Sequence, residues 1–353
     1  MAGDFPTRYI RPELLAFKPY SSARSLYTEG FFLDANENPY NLFSNEVPLN
    51  RYPDGSNKAL REGLAELSGL TAEQTFVGNG SDEAIDLLIR VFCAPGEAIL
   101  ICTPTYGMYT VAARLQGAQV LDVPLEPESF RLRPTAVLEA LQQHPHIKAV
   151  FLCSPNNPTG QVQPPELVEA ILQGTDRPVI VDEAYVEFTL GPGYAPHLAQ
   201  YPHLILLRTL SKAWALAGCR IGYCHAHPLL IGLLQTVKPP YNLNQLTTRT
   251  ALAALRMRAE VERTLQFVLS ERNLLAERLA ALPGMLVYPS DANFLLVRVA
   301  GATALQAQLA QKKLIVRDRS NEPGLNDCLR ISVGSPAENL LLAKTLGELL
   351  ANR

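Results

Sequence analysis

The chain has 353 residues, of which 47% are hydrophobic and 18% charged, and its formal net charge is −3. This composition is typical of a globular protein and excludes a largely disordered chain, while the slightly negative charge argues against binding to nucleic acid or anionic membranes. The apolar runs are too short to span a bilayer, and the N-terminus MAGDFPTRYIRPELL lacks the apolar core of a signal peptide, so we expect a cytoplasmic protein.

The first fifty residues are rich in Pro, Asn and Tyr and show little periodicity, so they are expected to form an extended arm with turns. Within this arm, Phe31–Asp34 is predicted as a short strand. The polar turn that follows includes Asn36 and is either a simple loop or part of a site. After a second turn, a helix is predicted over 58–68.

A glycine-rich turn at 78–83 separates a short strand at 75–77 from an amphipathic helix that ends near Phe92. The free N–H groups and the positive dipole end of such a helix start form an anion site by geometry. Ser81 and Asp82 at this position are equally well explained as helix caps. The turn by itself therefore does not decide between anion binding and capping.

From Ala98 to Cys224, apolar strands alternate with helices, which indicates a mainly parallel sheet covered on both faces. Ligands bind such sheets beyond the carboxyl ends of the strands. The predicted strands that matter most for a site lie at 98–104, 148–155, 178–185 and 204–207. The polar side chains at or beyond their ends are Tyr106, Asn157, Asp182, Tyr185 and Lys212.

The segment KPPYNLNQ (238–245) marks a break between two units. A long helical region is predicted over 244–281, with an interruption near Arg258, and short strands and helices follow it. We therefore predict an N-terminal arm over 1–45 that packs with the small domain, a large domain over 46–245, and a smaller α+β domain over 246–353.

The strongest chemical indication lies in LILLRTLSKAWALAGCRIGY (204–223). Lys212 lies beyond a strand end, follows the hydroxyls of Thr209 and Ser211, and precedes Arg220. Hydroxyls and an arginine suit a phosphate, and a lysine with a lowered pKa beside that phosphate can form a Schiff base with an aldehyde. Pyridoxal phosphate carries both groups. For Lys212 taken alone, a solvated loop lysine is the simpler alternative.

The other strand-end residues suit the same cofactor. Its ring withdraws electrons only while the ring nitrogen stays protonated, and Asp182 is placed to hold that proton, although a lone aspartate is more often a cap or a solvated loop residue. Asn157 and Tyr185 are available to the ring hydroxyl, and Tyr106 offers the ring an aromatic face. The phosphate is expected at Ser81, Asp82, Thr209, Ser211 and Arg220.

Two other kinds of site are not supported. The six cysteines form no C-x-x-C pair and most lie in apolar runs, so they are expected to be buried reduced thiols. The six histidines do not cluster at metal-ligand spacing, and no metal site is predicted. The turn GNGSDE (78–83) lacks the third glycine of the dinucleotide motif G-x-G-x-x-G, which argues against a Rossmann dehydrogenase.

The motifs SPNNPTG (154–160), VDEAY (181–185) and TLSKAWALAGCRIGY (209–223) resemble those of the aspartate-aminotransferase superfamily. The resemblance implies pyridoxal 5'-phosphate as cofactor and the PLP-dependent transferase fold, an α/β fold with a mainly parallel seven-stranded sheet in the large domain and a smaller α+β domain. Further motifs over nearly the whole chain resemble the histidinol-phosphate aminotransferase family, and they are DANENPYN (34–41), RYPDG (51–55), GNGSDEAID (78–86), PTYGMY (104–109), SDANFLLV (290–297) and LRISVG (329–334).

The resemblance also implies residue roles. Lys212 would bind the cofactor's aldehyde and then transfer the substrate proton, and Asp182 would pair with the ring nitrogen. Tyr52 would reach the cofactor phosphate of a neighbouring subunit, which implies a homodimer with shared active sites. The implied catalytic residues are Lys212, Asp182 and Tyr185. The implied substrate-binding residues are Tyr20, Asn36, Asn157, Arg317 and Arg330, and among them the arginines would take the substrate phosphate or glutamate's carboxylate.

The reaction implied by the resemblance is transamination of L-histidinol phosphate with 2-oxoglutarate, giving imidazole-acetol phosphate and glutamate, in histidine biosynthesis. An aromatic amino-acid aminotransferase or a threonine-phosphate decarboxylase would use the same lysine, aspartate and arginines, so both remain alternatives. A PLP-binding transcription regulator would carry an additional DNA-binding region, whereas the motifs here begin within about the first 35 residues and no basic helix-turn-helix precedes them.

Overall fold

The computed structural model describes residues 4–18, 30–43 and 47–351, which form two β-sheets with helices packed on them. Seven strands form the larger sheet, and they are β1 Thr75–Asn79, β2 Ala98–Ile101, β3 Gln119–Asp122, β4 Ile147–Cys153, β5 Val179–Asp182, β6 Leu204–Thr209 and β7 Ile221–His225. Their order across the sheet is β1-β7-β6-β5-β4-β2-β3. Within this sheet only β7 runs against its neighbours, so the prediction of a mainly parallel seven-stranded sheet is confirmed.

Helices cover both faces of the large sheet. Because alternate residues of a strand point to opposite faces, Ile180 and Ile205 lie in one hydrophobic core and Val181 and Leu206 in another. This double burial explains why β5 and β6 are almost entirely apolar. The helices of this part of the chain are α1 Pro12–Leu15, α2 Lys58–Glu66, α3 Ser81–Phe92, α4 Met108–Leu115, α5 Pro134–Gln143, α6 Pro165–Gly174 and α7 Pro228–Val237.

A second, antiparallel sheet follows in the chain. Its strands are β8 Met285–Val287, β9 Phe294–Val299, β10 Arg317–Asp318 and β11 Cys328–Ser332, in the order β10-β11-β9-β8. The helices of this part are α8 Gln245–Leu255, α9 Arg258–Ala280, α10 Ala302–Gln311 and α11 Pro336–Ala351. The sheet packs against α9, α10 and α11 around its own hydrophobic core. The predicted helix interruption near Arg258 is confirmed, since α8 ends at Leu255 and α9 begins at Arg258.

Two elements differ from the sequence-based expectation. Phe31–Asp34 forms no strand, and the side chains of Phe31 and Leu33 are exposed, so this apolar run does not reflect burial within the described part of the chain. Helix α7 is absent from the predicted elements because its run LLIGLL is uniformly apolar and gives little helical period. No helix in the described ranges has the length and apolar character needed to cross a membrane.

Candidate active site

A cavity of about 250 Å³ lies at the carboxyl ends of β4, β5 and β6, between the start of α3 and the second sheet. Strand ends of a parallel sheet meet at one edge, which explains why residues far apart in sequence converge there. The predicted residues that line this cavity are Ser81, Asp82, Tyr106, Asn157, Asp182, Tyr185, Thr209, Ser211, Lys212, Arg220, Arg317 and Arg330.

Asp182 is the last residue of β5, and its side chain is only 3% exposed. The hydroxyl of Tyr109 donates a hydrogen bond to its Oδ2 at 2.7 Å, and the backbone N–H of Ala184 donates to Oδ1 at 3.0 Å. Burial raises the pKa of Asp182 to about 6, because the charged form is deprived of water. No basic side chain of the described residues forms an ion pair with Asp182, so the carboxylate is free to pair with a cationic ligand.

Tyr109 is a residue of this site that the sequence reasoning missed. It is fully buried on α4, and burial, together with the charge of Asp182, raises the pKa of its hydroxyl well above the usual range. The sequence does contain a signal, because Tyr109 is only three residues from Tyr106, which is itself a predicted site residue, and it lies in the first turn of α4. Their rings meet edge to face with centroids 5.6 Å apart.

Lys212 lies in the loop after β6, and its side chain remains open to the solvent of the cavity. Partial burial lowers its pKa, and the positive charges of Arg330 and Arg220 lower it further. The ammonium nitrogen is 5.6 Å from the centre of the Tyr185 ring. A lowered pKa increases the neutral fraction of the amine, which is the form that attacks a carbonyl or accepts a proton.

Asn157 connects the two sheets at the site. Its amide nitrogen donates to the hydroxyl of Tyr185 at 3.3 Å, and its amide oxygen accepts a hydrogen bond from Arg330 at 2.5 Å. Burial raises the pKa of Tyr185, so its hydroxyl stays protonated at neutral pH. The guanidinium of Arg330 also lies 5.4 Å from the centre of the Phe294 ring. Asn157, Tyr185 and Arg330 are thus held together by direct contacts.

The start of α3 faces the same cavity. Its N-cap is Gly80, and neither Ser81 nor Asp82 occupies the cap position, so the capping alternative for these two residues is wrong. Asp82 accepts hydrogen bonds from Tyr106 at 3.0 Å and Arg220 at 3.1 Å. Gly222 on β7 is required here, because a Cβ atom would lie 1.9 Å from the backbone nitrogen of Ser81.

These groups match the chemical parts of pyridoxal phosphate. The buried carboxylate of Asp182 suits a protonated ring nitrogen, and the amine of Lys212 suits an aldehyde. The α3 start, with Ser211 and Arg220 beside it, suits a phosphate. Thr209 has a structural task as well, since its hydroxyl donates to the carbonyl of Ile221 at 2.9 Å and accepts from Ser211 at 3.1 Å. The residues present therefore fit this cofactor.

Three arginines lie at the opposite side of the cavity. Arg317 on β10 is directly paired with Arg330 on β11 in the sheet register. Arg319 lines the cavity too, and the sequence reasoning missed it. Like charges placed opposite each other destabilise a sheet, so this arrangement is characteristic of an anion-binding site.

Two predicted site residues of the described ranges are not brought to this cavity. Tyr52 and Asn36 line a separate surface cavity of about 500 Å³, where the Tyr52 ring stacks on Tyr241 with centroids 4.7 Å apart. Tyr20 lies outside the described residues. Within the described ranges, no three metal-binding side chains cluster.

A larger cavity of about 660 Å³ lies between α9 and the segment that follows Tyr185. It contains Glu187, Arg208 and Trp214 but has neither Lys212 nor Asp182 among its lining residues. Its size therefore does not make it the catalytic cavity, and the chemistry of the smaller one decides the assignment.

Comparison with known proteins places the chain in a large group of enzymes. A sequence model of the family "Aminotransferase class I and II" matches residues 33–346. The histidinol-phosphate aminotransferase of Parabacteroides distasonis is 45% identical over 334 residues, which cover 94% of each chain. That of Cytophaga hutchinsonii is 44% identical over 341 residues, covering 96% of this chain and 97% of the relative.

A solved structure supports the same relationship. The fold is similar to the histidinol-phosphate aminotransferase of Sinorhizobium meliloti, solved in complex with pyridoxal-5'-phosphate, with a TM-score of 0.78 and 26% sequence identity. The match covers 86% of this chain and 84% of that one. Together with the sequence matches, it identifies the α/β architecture described above as that of aminotransferases.

Proposed function

This chain belongs to the class I and II aminotransferases, and on that premise we propose that it transaminates L-histidinol phosphate with pyridoxal 5'-phosphate as cofactor. The proposed amino acceptor is 2-oxoglutarate, so the products are imidazole-acetol phosphate and glutamate. The reaction then belongs to histidine biosynthesis, and the proposed location is the cytoplasm, which cell fractionation would test. The names and the near-complete coverage of the relatives support the substrate.

The observation that carries the proposal is the convergence of three unlike groups in one cavity. These are the amine of Lys212, the buried and cation-free carboxylate of Asp182, and the start of α3 with Arg220 beside it. Each group has a common structural explanation when taken alone. Their convergence at one edge of the sheet suits one ligand that is at once an aldehyde, a ring base and a phosphate.

The residues of this chain have distinct tasks in the reaction. When bound, pyridoxal phosphate supplies an electron-withdrawing ring that stabilises negative charge on the substrate carbon. The neutral Nζ of Lys212 would accept the proton from the substrate carbon that bears the amine, and the protonated Nζ would be the acid that supplies a proton to the cofactor. The carboxylate of Asp182 holds a proton at the ring nitrogen. Tyr185 serves as a hydrogen-bond donor, because its raised pKa keeps its hydroxyl protonated.

The arginines support a phosphorylated substrate. Histidinol phosphate has a phosphate where an amino acid has a carboxylate, and guanidinium groups bind either anion in a bidentate manner. Arg330 is oriented by Asn157, and Arg317 lies opposite it in the sheet. The same pair is proposed to bind a carboxylate of glutamate in the second half-reaction.

We also propose a homodimer in which Tyr52 completes the partner's site. Tyr52 is half exposed, and Leu246, which lines the same surface cavity, is also exposed. The arm contributes two further exposed apolar residues, Phe31 and Leu33. Exposed apolar side chains of this kind are typical of an interface. Mixing inactive Lys212→Ala and Tyr52→Ala proteins is expected to form hybrid dimers with one intact site and to recover activity. Mixtures that exchange subunits and stay inactive would contradict the shared site.

The substrate is tested by single-turnover absorbance spectroscopy. Cofactor-loaded protein is mixed separately with histidinol phosphate, phenylalanine and threonine phosphate, and conversion of the cofactor to its amine form is followed. Fast conversion by histidinol phosphate alone is expected. Preferential conversion by phenylalanine would move the protein to aromatic transamination, and carbon dioxide release from threonine phosphate would make it a decarboxylase. Purified protein that takes up no cofactor would contradict the proposal altogether.

A further inference from the structure

The arginine cluster contains more positive charge than two arginines supply. Arg317 lies on β10, Arg319 follows directly after this strand, and Arg330 lies opposite Arg317 on β11. All three side chains line the catalytic cavity. Burial lowers the pKa of Arg330, and the positive charges of Arg319 and Arg317 lower it further.

The cluster is only partly neutralised. Glu322 pairs with Arg319 at 2.5 Å, whereas the partner of Arg330 is the neutral amide oxygen of Asn157. Arg317 forms no ion pair with any carboxylate of the described ranges. Three guanidinium groups and one carboxylate therefore leave a surplus of two positive charges at this end of the cavity.

Arg319 also has an unused donor. Its Nε is inaccessible to solvent and has no acceptor in the described part of the chain, while another nitrogen of the same guanidinium is held by Glu322. A buried donor without an acceptor is unfavourable, and a bound anion would contact this guanidinium through its atoms that line the cavity. Glu322 fixes the position of Arg319 through two contacts, because its backbone N–H also donates to the carbonyl of Arg319 at 2.9 Å.

We propose that Arg319 is a specificity-determining residue that makes this end of the cavity select a doubly charged phosphate monoester over a singly charged carboxylate, with Glu322 as its positioning residue. The inference rests on the proposed function, because it concerns the same substrate site. A phosphate monoester loses its second proton with a pKa of about 6, so at neutral pH it carries nearly two negative charges and offers three acceptor oxygens. A carboxylate has one negative charge and two acceptor oxygens, so it needs fewer of the guanidinium N–H donors of the cluster.

The test compares the two half-reactions in Arg319→Gln. Cofactor-loaded protein is used, so that the cofactor's own phosphate site is filled. We expect the KM for histidinol phosphate to rise about tenfold or more, the usual size for losing a charge-assisted hydrogen bond, while kcat and the KM for glutamate change less than about threefold. Arg319→Lys is expected to recover part of the affinity. The matched control is Arg263→Gln, which removes an exposed arginine on α9 that pairs with Glu260 and does not line the catalytic cavity.

A second readout does not depend on the phosphorylated amine. Inorganic phosphate is titrated as a competitor of the glutamate half-reaction between pH 6 and 8. In the unchanged protein, inhibition is expected to strengthen as the dianion forms, and in Arg319→Gln this strengthening is expected to be several-fold smaller. If the protein does not convert histidinol phosphate but inhibition by inorganic phosphate still depends on Arg319 as expected, the proposed function is wrong and the selection of a dianion by Arg319 is still supported.

The double variant Arg319→Gln/Glu322→Gln distinguishes a direct contact of Arg319 with the substrate from an effect of the net charge of the cluster. It has the same surplus of two positive charges as the unchanged protein but lacks the arginine. We expect it to remain as weak toward histidinol phosphate as Arg319→Gln. Full recovery in the double variant would overturn a specific contact by Arg319. Equal KM increases for histidinol phosphate and glutamate in Arg319→Gln, or no increase for either, would overturn the selectivity.

Discussion

Asp182 and Glu183 are consecutive acidic residues at the end of β5, and both are buried, yet the protein treats them differently. Arg208 on β6 forms an ion pair with Glu183 at 2.8 Å, and the backbone N–H of Tyr194 donates to the other carboxylate oxygen at 2.6 Å. Among the described residues, Asp182 accepts hydrogen bonds only from the hydroxyl of Tyr109 and one backbone N–H. One carboxylate is neutralised within the chain, and the other is not.

The difference separates a structural charge from a functional one. A buried carboxylate is stable only with a cation or several donors, and Arg208 provides this for Glu183 while also bonding Ser68 and the carbonyl of Pro192. Asp182 faces the cavity instead, where the cationic partner is expected to be the cofactor ring. Substitutions at the two positions should therefore affect different quantities.

The largest effect on stability is expected for Glu183→Gln. It leaves the buried guanidinium of Arg208 without its carboxylate, and breaking a buried pair costs about 3–5 kcal/mol of unfolding free energy. Urea unfolding followed by circular dichroism measures this loss. The double variant Glu183→Gln/Arg208→Met is expected to recover much of it, and a stable single variant would show that the pair is unimportant.

Asp182→Asn is expected to have the opposite profile. Loss of the ring-nitrogen partner should lower kcat on the order of 10²–10³-fold, the size expected for removing one partner of a buried ion pair. The cofactor-free protein should lose little stability, because the charged carboxylate is itself unfavourable when buried. Turnover at the wild-type rate would contradict the role given to Asp182.

The pH dependence of stability distinguishes the same residue without substrate. Asp182 has a pKa of about 6 in the folded protein and about 3.8 when unfolded, so the folded state binds the extra proton. Protonation of Asp182 therefore stabilises the folded state by about 3 kcal/mol in total as pH falls from about 6 to 4. This stabilisation is lost again as pH rises through the folded-state pKa. The stability difference between cofactor-free wild-type protein and Asp182→Asn, measured from pH 7 to 4, should follow this trend.

The smallest effect is expected for Tyr109→Phe. The ring still fills its buried position, but Asp182 loses a hydrogen bond from a hydroxyl, which is worth about 1.5 kcal/mol, or about tenfold in kcat. Steady-state kinetics measure this decrease, and Tyr201→Phe serves as the control, because Tyr201 lies in a different hydrophobic core from Tyr109 and does not line the catalytic cavity. An unchanged kcat would show that Tyr109 does not support Asp182.

Residues that follow apolar strands could be predicted to converge, because a parallel sheet brings its carboxyl ends to one edge; Asn157, Asp182 and Lys212 are examples. Arg319 could not be predicted, since its position depends on the register of the two-residue strand β10. Tyr109 is buried like an ordinary core tyrosine, and only its contact with Asp182 distinguishes it. Phe31–Asp34 was predicted as a short strand, but no strand pairs with it among the described residues.

The central claim is that Asp182 has no cationic partner among the described residues because the cofactor ring supplies one. The most direct measurement is the ¹⁵N chemical shift of the ring nitrogen in protein loaded with ¹⁵N-labelled pyridoxal phosphate, followed from pH 6 to 9. A protonated ring nitrogen throughout that range, lost in Asp182→Asn, is the expected result. A nitrogen that is unprotonated in the unchanged protein, or equally protonated in the variant, would contradict the claim.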